Sequence, residues 1–102
     1  HSIEGTFNYK NNISECYKKQ NIITSDLKDM FFDNVKFNTF TIEYSADKSG
    51  KSTSKYNDFE FPDDSAIRVI CYDMDKDFID PNDQLYLAIV SKQFMKWINE
   101  NN

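Results

Sequence analysis

Apolar and polar residues alternate in several stretches of the chain, and this alternation predicts β-strands. In residues 2–9 the apolar side chains fall on one parity, which is typical of a first strand. Residues 35–44 are rich in aromatic and β-branched side chains and predict a second strand. The inward parity changes between Phe37 and Phe40, so we expect a β-bulge or a crossover between sheets near Asn38.

The second half of the chain predicts three further strands separated by turns. Residues 45–55 are polar and predict a hairpin loop, after which residues 56–61 return as a strand. A Pro-Asp-Asp-Ser turn precedes a nearly continuous apolar run at residues 66–72. A last apolar run, residues 84–90, predicts a strand that is buried on both faces.

Helical spacing occurs in two segments. Residues 24–32 predict a short helix, because Thr24 or Ser25 can cap its start and the apolar residues behind them are spaced i, i+3, i+4. Residues 13–23 fit neither the helical nor the strand period. The closing segment 91–101 predicts either a short helix or an irregular strand that packs its tryptophan onto the strands.

Together these elements predict a mostly β fold. Five or more strands at roughly ten-residue spacing, one or two short helices and no βαβ alternation indicate an antiparallel two-sheet β-sandwich. The chain of 102 residues is long enough for one domain, which we predict to span residues 2–100. Its apolar fraction of 39% is low, but the 16% of aromatic residues supplies large buried areas for a single core.

The chain contains two cysteines, Cys16 and Cys71. The favoured interpretation is that Cys71, in the middle of an apolar strand, is a free thiol that packs as a small hydrophobic residue. The alternative is one disulfide formed in an oxidising compartment, which would contribute roughly 3 to 4 kcal/mol by closing a long loop. Both possibilities stay open from the sequence.

The net charge of −5 is concentrated in one segment, residues 73–83, where five aspartates accompany a single lysine. No basic stripe with interleaved aromatic residues occurs elsewhere in the sequence. Nucleic acid and anionic membrane surfaces are therefore not expected as partners.

The acidic segment invites comparison with calcium-binding loops. An EF-hand is excluded, because the required glycine and terminal glutamate are missing. Asp73, Asp75 and Asp83 resemble the carboxylate pattern of a C2 domain, so the alternative function is that of a C2-like domain binding calcium and phospholipid. The second loop of such a site has only three candidate carboxylates, Asp26, Asp29 and Asp33. We therefore favour a solvated connector opened by a turn at residues 80–83, with no metal and no cofactor.

No catalytic residues are predicted. The only histidine is the terminal His1, so a Ser–His or Cys–His relay is not available. Carboxylates in an exposed loop are not expected to have strongly shifted pKa values, so they are poor candidates for acid–base catalysis. We expect a protein that is not an enzyme and that binds other proteins through loops or edges.

AIRVICYDMD, residues 66–75, followed by QLYLAIV, residues 84–90, resembles the C-terminal half of the outer-membrane lipoproteins of type VI secretion systems. In both, an apolar strand that begins with alanine runs into an aromatic residue and an Asp-x-Asp end, and a short hydrophobic strand follows. SDLKDMFF, residues 25–32, resembles the short helix that this family carries between its early strands.

This resemblance implies a transthyretin-like β-sandwich on the periplasmic face of the outer membrane, held there by an acylated cysteine upstream of these residues. The implied partner is the periplasmic part of an inner-membrane secretion core protein, and the implied role is to anchor the envelope complex. No partner-binding residue can be assigned from the resemblance, because the contact loop of the family is variable.

Overall fold

A computed structural model of the chain describes residues 2–31, 35–78 and 82–90, which form an antiparallel sheet and one helix. The elements in chain order are β1 (Ser2–Lys10), α1 (Ile13–Met30), β2 (Lys36–Glu43), β3 (Thr53–Glu60), β4 (Ala66–Asp73) and β5 (Asp83–Val90). The strands lie in the order β1-β5-β4-β3-β2, and all neighbours are antiparallel. The predicted mostly β, antiparallel architecture is therefore confirmed.

The described strands form a single open sheet, so the two-sheet sandwich is not confirmed. The helix α1 lies across β4, β5 and β1 on one face of this sheet. We call the face toward α1 the covered face and the opposite face the open face. Along β4 the odd-numbered residues, such as Val69, lie on the covered face, and the even-numbered residues, such as Ile70, lie on the open face.

The helix is longer than predicted and begins at Ile13. Asn12 is its N-cap, and the side-chain oxygen of Asn12 accepts a hydrogen bond of 3.3 Å from the backbone N–H of Glu15. The buried stripe of α1 consists of Cys16, Gln20 and Thr24. Two of these three residues are polar, which is why residues 13–23 show no clean apolar period. The predicted cap at Thr24 or its neighbour is wrong, because both residues lie in the middle of the helix.

The core between α1 and the sheet is closed by a disulfide between Cys16 and Cys71, whose Cα atoms are 6.1 Å apart. Both cysteines are fully buried together with Val69 and Leu85. The favoured interpretation of Cys71 as a free thiol is therefore wrong. It failed because the first cysteine lies on a helical face that the apolar pattern did not reveal, directly opposite the centre of β4.

Strands β2 and β3 differ in two details from the prediction. β2 and β3 pair without interruption along eight residues each, so the bulge expected near Asn38 is wrong. Phe37 lies on the covered face and Phe40 on the open face, so the apparent change of parity reflects an aromatic ring on each side. The hairpin loop is shorter than residues 45–55, because β3 already begins at Thr53.

β5 has buried residues on both faces, as predicted, but it is exposed near its end. Leu85 is buried on the covered face and Ala88 on the open face, but Ile89 is 40% exposed. The strand lies beside the edge strand β1. The predicted helix or strand in 91–101 lies outside the described residues.

Candidate functional site

Two adjacent carboxylates lie at the two ends of the acidic segment, where it joins the sheet. Asp73 ends β4 and Asp83 begins β5, and the antiparallel register of these two strands puts the two residues beside each other on the covered face. Asp83 is only 3% exposed, and its Oδ1 accepts a hydrogen bond of 2.9 Å from the backbone N–H of Met74. We predicted that the acidic segment is a solvated connector. In the structure it is instead fixed where it joins the sheet, because Asp83 is buried and hydrogen-bonded.

Tyr17 of α1 lies near these two carboxylates. Burial, followed by the charges of Asp73 and Asp83, raises the pKa of the Tyr17 hydroxyl, and a hydrogen bond with Thr53 partly opposes this shift. The Nζ atom of Lys55 lies 5.0 Å from the centroid of the Tyr17 ring. A tyrosine that keeps its proton beside two carboxylates serves as a hydrogen-bonding group and not as an acid or base near neutral pH.

Burial also raises the pKa values of both carboxyl groups. For Asp73 burial is the sole cause. For Asp83 burial is the largest cause and the charge of Asp73 adds to it, while the hydrogen bond from Met74 acts against it. Both pKa values are raised because Asp73 and Asp83 lie at strand ends and not in the exposed part of the loop.

The same loop is fastened to the β2–β3 hairpin on its other side. The fully buried Ser52 donates a hydrogen bond of 2.6 Å from its Oγ to Asp47 Oδ2 and accepts one of 2.8 Å from the backbone N–H of Asp75. Asp47 also accepts hydrogen bonds from the backbone N–H and hydroxyl of Ser49. The hydroxyls of Ser52 and then Ser49 hold the pKa of Asp47 below its ordinary value. Asp75 is thus held through its backbone.

These contacts give no support to the predicted alternative of a calcium site at Asp73, Asp75 and Asp83. In the described part of the chain, no group of three or more His, Cys, Asp or Glu side chains is arranged to hold a metal ion. One oxygen of Asp83 already accepts a backbone hydrogen bond. Calcium needs six to eight oxygen ligands.

The second set of carboxylates does not complete such a site. Asp26 lies nine residues beyond Tyr17, roughly 13 Å along the helix axis, and Asp29 lies further still. Both are exposed. Asp33, the third candidate ligand, lies outside the described residues.

The open face carries a row of aromatic side chains that runs across the sheet. Phe40 and Tyr56 are stacked with ring centroids 4.8 Å apart, and the register continues this row through Ile70 to Tyr86. Tyr72 lies in the next row, and burial, followed by the neighbouring tyrosines, raises its pKa to about 12. Aromatic side chains of the chain therefore lie on both faces of the sheet.

No protein-family model, curated protein or solved structure matches this chain. No helix in the part of the chain that the structure describes is long and apolar enough to cross a bilayer.

The sequence reasoning missed the outer edge of β2 as a candidate site. Phe40 is 42% exposed and Ile42 is 49% exposed, and both lie on the open face of this edge strand. Residues 35–44 were predicted as a strand, but a strand pattern does not say whether the strand has one neighbour or two. The position of β2 at the edge is a property of the topology and not of its local sequence pattern.

Proposed function

We propose that this chain is a non-catalytic, protein-binding module on the periplasmic face of the bacterial outer membrane. In this proposal it is a lipoprotein of a type VI secretion system, lipid-anchored through an upstream cysteine. It anchors the secretion complex by binding the periplasmic part of an inner-membrane core protein. The two-sheet, transthyretin-like sandwich that the resemblance implies belongs to this proposal and not to the observed fold.

The disulfide between Cys16 and Cys71 is the observation that carries the extracytoplasmic part of the proposal. Disulfides persist in oxidising compartments such as the periplasm and are rare where cellular thiols keep cysteines reduced. Both sulfur atoms are shielded in the core, and no described cysteine is left unpaired. A buried disulfide of this kind is typical of a structural bridge in an exported domain.

Two further features support protein binding as the activity. β4 and β5, the strands that carry the resemblance, are hydrogen-bonded neighbours inside the sheet. They therefore form its structural framework. The exposed apolar side chains Phe40 and Ile42 lie at the edge of that scaffold. Exposed apolar residues at a sheet edge favour recognition of another polypeptide.

The proposal is tested by quenching native cells with acid and alkylating free thiols in the denatured protein, because both cysteines are buried in the folded domain. We expect Cys16 and Cys71 to react with a maleimide reagent only after reduction, and the protein to fractionate with the outer membrane. The matched control is the Cys16→Ser/Cys71→Ser double variant, which has no thiol from these positions before or after reduction. Free thiols at both positions in untreated cells would contradict an oxidising compartment.

The partner is tested separately with purified proteins. Calorimetry should detect binding between this domain and the periplasmic part of the inner-membrane core protein of the secretion system, and titration with calcium should produce no heat of binding. A calcium isotherm that disappears in the Asp73→Asn/Asp83→Asn double variant would instead favour the C2-like alternative.

A further inference from the structure

We propose that the outer edge of β2 binds an extended segment of another protein chain, which adds to the sheet as a sixth, antiparallel strand beside β2. This inference rests on the proposed function, a domain that binds protein, and it names the surface and the chemistry of the bound segment. The segment is uncharged and partly apolar in its centre. It carries a basic residue opposite Glu43 and an acidic residue opposite Lys36.

The two edge strands of the sheet, β1 and β2, differ in how well they can pair with an added strand. β1 contains a register irregularity between Asn8 and Lys10, and Lys10 has a positive φ of 54°. It also carries a charged residue, Glu4, in its first half. Bulges and charges within an edge strand oppose the addition of another strand. β1 is therefore the protected edge.

β2 has neither a register irregularity nor a charged residue in its interior. It is eight residues long, its pairing with β3 is uninterrupted, and it contains neither proline nor glycine. Its only charged residues are the first and the last, Lys36 and Glu43, so its six inner positions are uncharged. Among the described residues, none pairs with its outer side. A regular, uncharged edge of this length is uncommon in proteins unless another chain covers it.

The backbone groups that face outward can be identified from the register. The backbone N–H of Tyr44 donates a hydrogen bond of 2.8 Å to the Ser52 carbonyl across the hairpin. Because inward and outward groups alternate along an antiparallel strand, the even-numbered residues of β2 bond to β3 and the odd-numbered residues point outward. Thr39 and Thr41 therefore offer N–H and C=O groups at the centre of the free edge.

The side chains define what the added strand should carry. Phe40 and Ile42 are 42% and 49% exposed on the open face, two residues apart, so an apolar residue opposite each of them would bury area on both strands. Thr39 and Thr41 lie on the other side and favour threonine or serine opposite them. Opposite charges at the two ends then set the register and direction of the added strand.

A second copy of the chain fits this edge poorly. When two copies pair antiparallel about a two-fold axis, the open faces of both sheets point to the same side. Each even-numbered residue of β2 then lies opposite an even-numbered residue, and each odd-numbered residue opposite an odd-numbered one. Lys36 therefore never lies opposite Glu43. A parallel pair about an axis along the strands turns one sheet over, so side chains at equal height point to opposite faces and the two strands cannot share one pleat. Charge complementarity therefore favours a different chain.

The direct test uses the folded domain with a capped synthetic peptide of sequence KITFTVTE. In antiparallel pairing its lysine lies opposite Glu43, its glutamate opposite Lys36, and its isoleucine and phenylalanine opposite Ile42 and Phe40. The charge-reversed peptide EITFTVTK is the matched control. By calorimetry or fluorescence anisotropy, we expect the reversed peptide to bind about threefold to tenfold more weakly. Amide exchange should slow at Thr39 and Thr41 when the first peptide binds.

Two variants of the domain test the edge itself. Thr41→Pro removes an outward N–H without disturbing the inner ladder, and should weaken peptide binding at least about tenfold. Thr41→Val keeps that N–H and should bind within about twofold of the parent. Because a proline variant can also lose stability, the exposed Lys36→Glu provides a second test. It should invert the preference between KITFTVTE and a third peptide, KITFTVTK.

Equal binding of the two charge-reversed peptides, or full binding by Thr41→Pro, would overturn this inference. Protection of β1 amides in place of β2 amides would overturn it as well. If the domain binds the core protein and Thr41→Pro binds it equally well, the inference fails while the proposed function stands. If peptides bind the β2 edge but Cys16 and Cys71 are reduced in cells, the proposed function fails while the edge site stands.

Discussion

The two faces of the sheet are ordered by different means. The covered face is closed by α1, the disulfide between Cys16 and Cys71, and the buried Gln20, whose Nε2 donates hydrogen bonds of 2.9 Å to the carbonyls of both Lys55 and Val69. On the open face, the described residues are held by stacked aromatic rings and by the hydrogen bonds of Ser52 at one end of the sheet. The covered face contains a covalent bridge, whereas the described residues of the open face, among them the buried Ile70 and Ala88, are ordered without one.

This difference separates stability from recognition within one sheet. Residues of the covered face contribute most of the buried apolar contacts, so changes there should unfold the domain. The open face and its β2 edge retain exposed apolar side chains such as Phe40 and Ile42, so changes there should alter binding more than folding. Measurements that compare the two faces decide whether this division holds.

The largest effect is expected from loss of the disulfide on the covered face. The Cys16→Ala/Cys71→Ala double variant should lose about 4 kcal/mol of unfolding free energy, because the bridge closes a loop with a sequence separation of 55 residues. Chemical denaturation with and without a reductant measures this loss. The reductant should destabilise the parent and leave the double variant unchanged, and an insensitive parent would contradict a structural bridge.

A matched pair of truncations compares the two faces directly. Leu85→Ala should lose about 3 kcal/mol, because this side chain is fully buried beneath α1 and its removal leaves a cavity. Ile42→Ala should lose less than about 1 kcal/mol, because the side chain is already 49% exposed. Urea unfolding of both variants gives the difference. Equal losses would mean that the open face carries as much of the core as the covered face.

A smaller effect is expected at the loop network of the open face. Ser52→Ala removes the donor to Asp47 and the acceptor for the Asp75 N–H, so it should cost about 1 to 2 kcal/mol of unfolding free energy. Ser49→Ala is the control, since its hydroxyl contacts Asp47 but does not reach the acidic loop. Faster amide exchange at Asp75 in Ser52→Ala, and not in Ser49→Ala, would show that the network fastens that loop.

The smallest expected effect is an unusual dependence of stability on pH. Burial raises the pKa of Asp58 on the open face, although Arg68 lowers it in part, and burial also raises the pKa values of Asp73 and Asp83. A carboxyl whose folded pKa lies above its unfolded value binds its proton more tightly in the folded state. The unfolding free energy should therefore fall as pH rises from the ordinary carboxyl pKa through the raised one.

Asp47 acts in the opposite direction and supplies an internal control. Its folded pKa is lowered by hydrogen bonds, so its contribution is present above its unfolded pKa and is lost as pH falls through the folded value. Denaturation curves at several pH values should show a maximum under mildly acidic conditions. Oδ1 of Asp58 is buried without a hydrogen-bond partner, so ionisation of this carboxyl is unfavourable in the folded state. Because an amide does not ionise, Asp58→Asn should flatten the decline of the unfolding free energy toward neutral pH. An unchanged decline would contradict this assignment.

Only part of the candidate site followed from the sequence. The acidic segment was recognised from its composition, but the burial of Asp83 depends on α1, whose start was missed because Gln20 and Thr24 occupy buried positions. In the structure Gln20 Nε2 donates to two backbone carbonyls and Thr24 accepts from Asn57, although Oε1 of Gln20 is buried without a hydrogen-bond partner and no apolar pattern marks either position. Periodicity reports apolar faces, and this helix packs partly through polar atoms.

Local pattern alone determined the five strands, their antiparallel nature and the concentration of negative charge between β4 and β5, because alternation, turn residues and charge are properties of neighbouring positions. Tertiary structure decided the rest: that Cys16 meets Cys71, that the described strands share one sheet, and that β2 is an edge. Each of these depends on which distant segments lie side by side, and a pattern of period two is the same for a strand with one neighbour as for a strand with two.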